Sequence, residues 1–294
     1  MTDTRTPVTS ADTLPREITP TSPSERLSLV RLLQLASPAL PIGAYSYSQS
    51  LEWAVESGAV HDAMSARNWI GDVLELVVAR GEAAFAWRLV AAAQRGDWTA
   101  FVRWNDVSRA SRETAELRAE SEQMGRSLVR LALDLELLDA SARDVLPRLE
   151  PVVLPAAYAL AARGFGVPGD CALTAYVWSW LENQVLAAVK LVPLGQVAGQ
   201  RLLASLGAAI PAVVANAMTI DDDGISTFAP GFAIASARHE TQYTRLFRSW
   251  HHGDCRHCRQ SWRAYAARRA RHPMPTCRQR AARSRSPAVS HWRP

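Results

Sequence analysis

The chain has 294 residues, of which 48% are hydrophobic and 21% charged, so its composition excludes a chain that is disordered throughout. Four cysteines are too few for a disulfide-stapled scaffold of this length. The net charge of +5 is uneven, because residues 250–294 contain eleven arginines and one acid, which leaves −5 on the rest. With no secretory signal apparent and no run approaching the roughly 20 apolar residues of a membrane span, we expect a soluble, cytoplasmic protein.

Helical periodicity dominates the chain after a polar leader. Residues 1–23 are rich in Thr, Ser and Pro and predict a flexible leader. In the body, residues 24–249, apolar residues recur at helical spacing and strand signals are scarce. The predicted helices cover 24–36, a segment from Ser46 or Ser48 to Gly58, a segment from Asp62 to Gly81, 82–95, 98–109, 112–135, 152–163, 171–192, 194–207, 209–219 and 231–248. This pattern predicts an all-α fold, a single bundle-like domain of about ten helices.

The first predicted connection has an unusual density of turn residues. Two prolines and a glycine fall within residues 37–43, which predicts an ordered loop or sharp bend. The following serine hydroxyls could cap the next helix. We expect this segment to be structural and interfacial, not catalytic. Its residues of interest are Pro38, Pro41, Gly43, Ser46, Ser48 and Glu52.

The longest periodic segment, residues 112–135, has two contrasting faces. Leucines and a methionine follow one face at helical spacing, as expected for packing. Charged residues follow the other face, which we expect to be solvated or to contact a partner. They are Arg112, Glu116, Glu120 and Arg126.

No complete catalytic, cofactor-binding or metal-binding set emerges before residue 250. The spacing G-x-G-x-x-G occurs at 164–169, but a predicted helix precedes it where a dinucleotide site needs a strand, so we interpret it as a link between helices. The acidic run 221–223 is interpreted as a turn, and His61–Asp62 as a helix cap. Cys171 is expected in the core. His61 and His239 are the only histidines in this part of the sequence.

The tail, residues 250–294, leaves alternatives open. Its spacing C-x2-C-x13-H-x4-C is within the range of zinc ligands, which would be Cys255, Cys258, His272 and Cys277. Its arginines could hold phosphate and its three tryptophans could stack on bases. Almost no apolar residues recur at a regular period, however, so the sequence favours a disordered tail or a shifted reading frame near the natural end.

Four segments, in the same order along the chain, closely resemble the urease accessory protein F family. They are LASPALPIGAYSYSQSLEWA at 35–54, ASRETAELR at 110–118 with QMG at 123–125, VPLGQ at 192–196, which includes Gly195 and Gln196, and RHETQYTRLFRS at 238–249. The resemblance covers about residues 27–249. Two departures are visible: Ser50 stands where the family is expected to have glycine, and the tail extends past the position where the family normally ends.

The resemblance implies an all-α, dimeric, cytoplasmic adaptor without catalytic residues, cofactor or metal of its own. Proteins of this family bridge accessory protein D, called H in some organisms, and the GTPase accessory protein G. The assembly docks on apo-urease and supports nickel insertion. Neither a membrane nor a nucleic acid is an expected partner.

The resemblance also implies that the end of the body contacts accessory protein D. In the family this C-terminal segment becomes ordered on the partner, and Arg245 stands where its key arginine is found. Planar donors, an aromatic ring and apolar anchors are typical of an interface hot spot. The expected interface residues are Arg238, His239, Glu240, Gln242, Tyr243, Arg245, Leu246 and Phe247.

Overall fold

The computed structural model describes residues 22–243 and 245–247, and every regular element within these ranges is helical. The helices are α1 Pro23–Ala36, α2 Leu51–Glu56, α3 Ala63–Val73, α4 Ala83–Arg95, α5 Trp98–Ala110, α6 Ala115–Asp134, α7 Ala140–Val145, α8 Leu154–Phe165, α9 Gly169–Leu191, α10 Gln196–Gly207, α11 Ile210–Thr219 and α12 Pro230–Glu240. The all-α prediction is confirmed. The predicted leader, except its last two residues, and the predicted tail with its cysteines and histidines lie outside the described residues.

The core of the bundle is built on α4, α8 and α9. Helix α8 is buried over nearly its whole surface and packs against both α4 and α6, while α9 packs against α4 and α10. Many of the buried side chains of α4 and α8 are alanines, including Ala86, Ala93, Ala157 and Ala161. Small side chains let helices approach closely, so a core this rich in alanine depends on tight contact between helix backbones.

The predicted interruption at Gly81 is wrong, because helical structure continues from α3 into α4. A π-helical stretch, Leu74–Glu82, joins the two helices. A widened turn of this kind leaves a carbonyl without its usual partner inside the helix. The Ser226 N–H donates to the Arg80 carbonyl at 3.0 Å, so the loop before α12 provides a partner from outside the helix.

One stretch, Gln196–Thr219, is long and apolar enough to cross a membrane by length and composition, contrary to the prediction. The structure divides it into α10 and α11, which pack against α9 and, for α11, also against α4. Leu202, Leu206 and Val213 are buried in the bundle. The apolar character of this stretch is thus partly used in packing.

Candidate partner interface

The loop after α1 bends as the sequence predicts. Pro38 and Pro41 lie in successive tight turns, in which Leu40 N–H donates to Ser37 O at 3.0 Å. Gly43 follows with φ +80°, in the left-handed region that favours glycine, and leads into a short 3-10 turn at Ala44–Ser46. The predicted bend and its dependence on Gly43 are both consistent with this geometry.

The predicted capping by Ser46 and Ser48 is wrong. Helix α2 begins only at Leu51, and its N-cap residue, Ser50, has φ +74° and makes no side-chain cap. Gln49 also has positive φ, so two left-handed residues turn the chain between the serines and the helix. Ser48 is buried, and its hydroxyl has no hydrogen-bond partner among the described residues.

Glu52, on the first turn of α2, binds the backbone of the C-terminal segment, residues 245–247, with its side-chain carboxylate. The residue is buried, and its two carboxylate oxygens accept the N–H groups of Leu246 and Phe247, the latter at 3.0 Å. These contacts join residues nearly 200 positions apart in sequence. A carboxylate that accepts two backbone N–H groups fixes both the position and the direction of the segment.

His239, on the last turn of α12, lies between two buried carboxylates. Its Nδ1 is 3.0 Å from Glu116 Oε2, and its Nε2 is 3.4 Å from Glu52 Oε2. Burial opposes a charge on the ring, but the hydrogen bonds and charges of both carboxylates outweigh it, and the pKa of His239 is raised above its ordinary value. The geometry therefore favours an imidazolium that donates to both acids.

Arg245 completes this arrangement. Its Nη1 lies 3.2 Å from Glu116 Oε1, while Nη2 donates to the Glu240 carbonyl at 2.8 Å and Nε to the Gln242 carbonyl at 3.1 Å. Its side chain is only 16% exposed. We call Glu52, Glu116, His239 and Arg245 the C-terminal cluster. With the ring protonated, it contains two negative and two positive charges.

The prediction that 231–248 forms a single helix is therefore wrong. Helix α12 ends at Glu240, and the chain turns back so that Arg245 reaches carbonyls near the helix end. Free carbonyls at a helix C-terminus need donors, and an arginine side chain can supply them. The side chain of Glu240 in turn accepts the N–H of Glu116 at 2.7 Å, which ties this turn to the start of α6.

The predicted interface residues divide into two groups. His239 and Phe247 are buried, and Glu240, Gln242 and Arg245 are half-buried; Arg238, Tyr243 and Leu246 are exposed, with the Tyr243 side chain fully accessible. The first group attaches the segment to the body, and Lys190 Nζ lies 5.5 Å from the centre of the Phe247 ring. Only the second group faces outward, where a partner could reach it.

The charged face of the α6 segment, predicted to be solvated or to contact a partner, is instead mostly buried within the bundle. Arg112, just before the helix, places Nη2 2.6 Å from Glu82 Oε2, and Glu82 also accepts the Tyr176 hydroxyl. Glu116 belongs to the C-terminal cluster, and Glu120 accepts the Gln49 amide at 2.8 Å. Burial raises the pKa of Glu120 to about 8. Arg126 alone in this set has a side chain more than half exposed, at 52%.

These charges are buried because other helices supply partners that a helical period cannot reveal. Gln49 was not singled out in the sequence, yet it connects the resembled segment 35–54 to both α6 and α9. Its Oε1 accepts the Trp180 indole N–H at 2.7 Å while its Nε2 donates to Glu120. In the sequence, Gln49 is one polar residue within a loop, and no pattern around it indicates this role.

The remaining sequence predictions concern ordinary structural features, and the structure agrees with most of them. Gly195 precedes α10 as its N-cap, Gln196 begins that helix, and both are exposed. Gly166 ends α8 in a left-handed conformation, which confirms the link between helices.

Asp62 caps α3, as predicted, by accepting Ser65 N–H at 2.8 Å. Cys171 is half-buried, so the prediction that it is a core residue holds only in part.

The acidic run 221–223 forms a turn, as predicted. Asp222 pairs with Arg88 at 3.0 Å and lies 3.8 Å from Arg103. Within the part of the chain that the structure describes, no group of three His, Cys, Asp or Glu side chains is arranged to hold a metal ion.

Comparison of the sequence with known proteins identifies its family. The UreF family model matches residues 60–207. The urease accessory protein UreF of Azoarcus sp. is 59% identical over 76% of this chain and 96% of its own length, and that of Methylobacillus flagellatus is 52% identical over 77% and 100%. The bifunctional urease accessory protein UreEF of Bordetella bronchiseptica is 52% identical over 75% of this chain and 52% of its own. The chain belongs to the UreF family of urease accessory proteins.

Proposed function

We propose that this protein is a cytoplasmic, non-enzymatic adaptor that joins accessory protein D (or H) to the GTPase accessory protein G during nickel insertion into apo-urease. It acts as a homodimer within that assembly. Membership of the UreF family supports a role in urease maturation. The relative named UreEF, in which two accessory activities share one chain, supports direct cooperation among maturation proteins.

The observation that carries the adaptor role is the position of the C-terminal segment. The C-terminal cluster neutralises its own charges and holds residues 245–247 against α2 and α6. This leaves Tyr243, Leu246 and Arg238 facing outward on an anchored backbone. An aromatic ring, an apolar side chain and a guanidinium on a rigid support are the components of an interface hot spot.

Accessory protein D is the partner we assign to this outward group. Arg245 then contributes by positioning the segment, since its guanidinium is already engaged by Glu116, Glu240 and Gln242. Loss of the Arg245 guanidinium would still weaken binding. The segment would no longer be held in place, and binding of the partner would have to supply the free energy of ordering it. This assignment differs from a direct contact of Arg245 with the partner.

Co-purification tests the proposal. We expect a Tyr243→Ala/Leu246→Ala double variant to capture at least about tenfold less accessory protein D than the wild type, because each exposed anchor contributes on the order of 1 kcal/mol or more. Met64→Ala, which removes a side chain on α3 about as exposed as that of Leu246, is the control and should bind normally. Undiminished capture by the double variant would remove this segment from the interface.

The arginine-rich tail can be tested in the same experiment. A chain ending at Ser249 should retain capture of accessory protein D if the body carries the function. Loss of capture on truncation would assign the contact to the tail. Salt-sensitive binding of the full chain to DNA or RNA that disappears on truncation would support the alternative, a nucleic-acid-binding tail.

We also expect no stoichiometric nickel site in the body. Nickel titration of the chain ending at Ser249, followed calorimetrically, should show no tight binding. A one-to-one site with micromolar affinity would contradict the view that this protein is a scaffold rather than a carrier of the metal.

A further inference from the structure

The contacts that hold the C-terminal segment converge on a single titratable ring. His239 faces Glu116 through Nδ1 at 3.0 Å and Glu52 through Nε2 at 3.4 Å. A neutral imidazole has one N–H and one lone pair, so only the imidazolium can donate to both carboxylates. Glu52 is also the residue that accepts the N–H groups of Leu246 and Phe247.

Loss of the ring proton would disturb this arrangement in two ways. One carboxylate oxygen would then face a ring lone pair at hydrogen-bonding distance. The C-terminal cluster would also hold two carboxylates against the single guanidinium of Arg245, in a site where His239, Glu52 and Glu116 are all buried. A buried charge without its partner is strongly destabilising.

We propose that the C-terminal cluster is a proton-controlled latch, which holds residues 245–247 on α2 and α6 while His239 is a cation and releases them when the ring loses its proton. Release exposes Phe247, which is buried in the latched state. The proposal does not depend on the adaptor role, because it concerns contacts within this chain.

The other ionisable groups near the ring come from each element packed around it. Helix α2 contributes Glu52, α6 contributes Glu116, α12 contributes Glu240, and the segment itself contributes Arg245. Arginine stays charged at any physiological pH, so it cannot act as the switch. On α9, Lys190 lies over the Phe247 ring.

Glu120 is the group whose titration must be separated from that of His239. It lies one turn after Glu116 on α6, and burial raises its pKa to about 8. Its hydrogen bond is to Gln49, not to the ring. Replacing it with glutamine therefore removes its titration while leaving the contacts of His239 in place.

The direction of the pH effect follows from the raised pKa of His239. A histidine has an ordinary pKa of about 6.5 in the unfolded chain. Because the folded-state pKa is higher, the stabilisation from the imidazolium is complete below about pH 6.5 and is lost as the pH rises through the folded value. The latch is therefore expected to open on the alkaline side.

Amide hydrogen exchange of the full chain, measured by mass spectrometry between about pH 6 and about pH 9 and corrected for the intrinsic exchange rate, tests the latch. Peptides covering 241–247 should lose protection by about tenfold or more across one transition. His239→Gln should show low protection without a transition. Protection of the wild type that does not change with pH, or an unchanged transition in His239→Gln, would overturn the proposal.

Three further variants locate the effect. Glu52→Gln removes one of the two carboxylates that favour the imidazolium, so its transition should move to lower pH; an unmoved transition would count against the latch. Glu120→Gln should keep the wild-type transition, and its disappearance would assign the effect to Glu120 instead. His61→Gln changes an exposed histidine just before α3, and its transition should match that of the wild type.

Discussion

Replacing Gly125 with alanine should weaken the bundle where α6 crosses the start of α8. A Cβ atom at this position would lie 2.6 Å from Val152 O, 2.7 Å from Val153 C and 3.0 Å from Leu154 N. All three atoms belong to the backbone, so no side-chain rotation can relieve the overlap. Helix α8 would have to move away from α6.

The expected cost follows from the contacts at this crossing. Adding a methyl group to a packed core costs about 1–3 kcal/mol. Movement of α8 would also strain two hydrogen bonds, from Val153 N–H to Asn105 Oδ1 and from Leu154 N–H to Ser121 Oγ, both at 3.1 Å. Each contributes about 1 kcal/mol, and the better helix propensity of alanine returns about 1 kcal/mol. The net loss in free energy of unfolding should be about 2–4 kcal/mol.

Urea unfolding followed by circular dichroism measures this loss. Gly231→Ala is the matched control, because that glycine is in the first turn of α12 with no atom within 4 Å of its added Cβ. The control should be neutral or up to about 1 kcal/mol more stable. If Gly125→Ala unfolds within about 0.5 kcal/mol of the wild type, the close backbone approach of α6 and α8 is not a constraint on this fold.

Three other substitutions test the loop and the C-terminal cluster. Ser50→Gly should raise the free energy of unfolding by about 1 kcal/mol, because Ser50 has φ +74° and glycine adopts this conformation without steric cost; a lower melting temperature would contradict this. Gly43→Val should lower stability by at least about 1 kcal/mol for the converse reason, and an unchanged melting temperature would refute the bend's dependence on Gly43. Arg245→Ala removes the guanidinium from Glu116 and two carbonyls. The binding free energy for accessory protein D should weaken by about 2 kcal/mol, with Arg245→Lys intermediate. Full capture by Arg245→Ala would show that Arg245 has no positioning role.

Helix positions were predictable because long amphipathic segments carry their own signal. The apolar period predicted α6 to within three residues at its start, and Gly166 marked the end of α8 as expected. Ser50 is instructive in another way: the resembled family predicts glycine there, and the structure provides the reason in a left-handed backbone. The resemblance thus indicated a preference for glycine at position 50, and the positive φ of that residue explains the preference.

The burial of the charged residues was not predictable from the sequence period. Charges at helical spacing normally indicate a solvated face, yet Glu116 and Glu120 are buried because α12, the segment after it and Gln49 supply donors from distant parts of the chain. The turn after Glu240 was missed for a related reason. Residues 245–247 are held by tertiary hydrogen bonds to Glu52 and Glu116, and no local residue pattern encodes them.

The most direct test of the proposed function is the nickel content and activity of urease matured with and without this chain. The urease and the other accessory proteins of the same organism would be co-expressed in a host that lacks urease, with nickel in the medium. We expect nickel-loaded, active urease only when this chain is present, and strongly reduced nickel with the Tyr243→Ala/Leu246→Ala variant. Urease that is equally loaded and active without this chain would contradict the account.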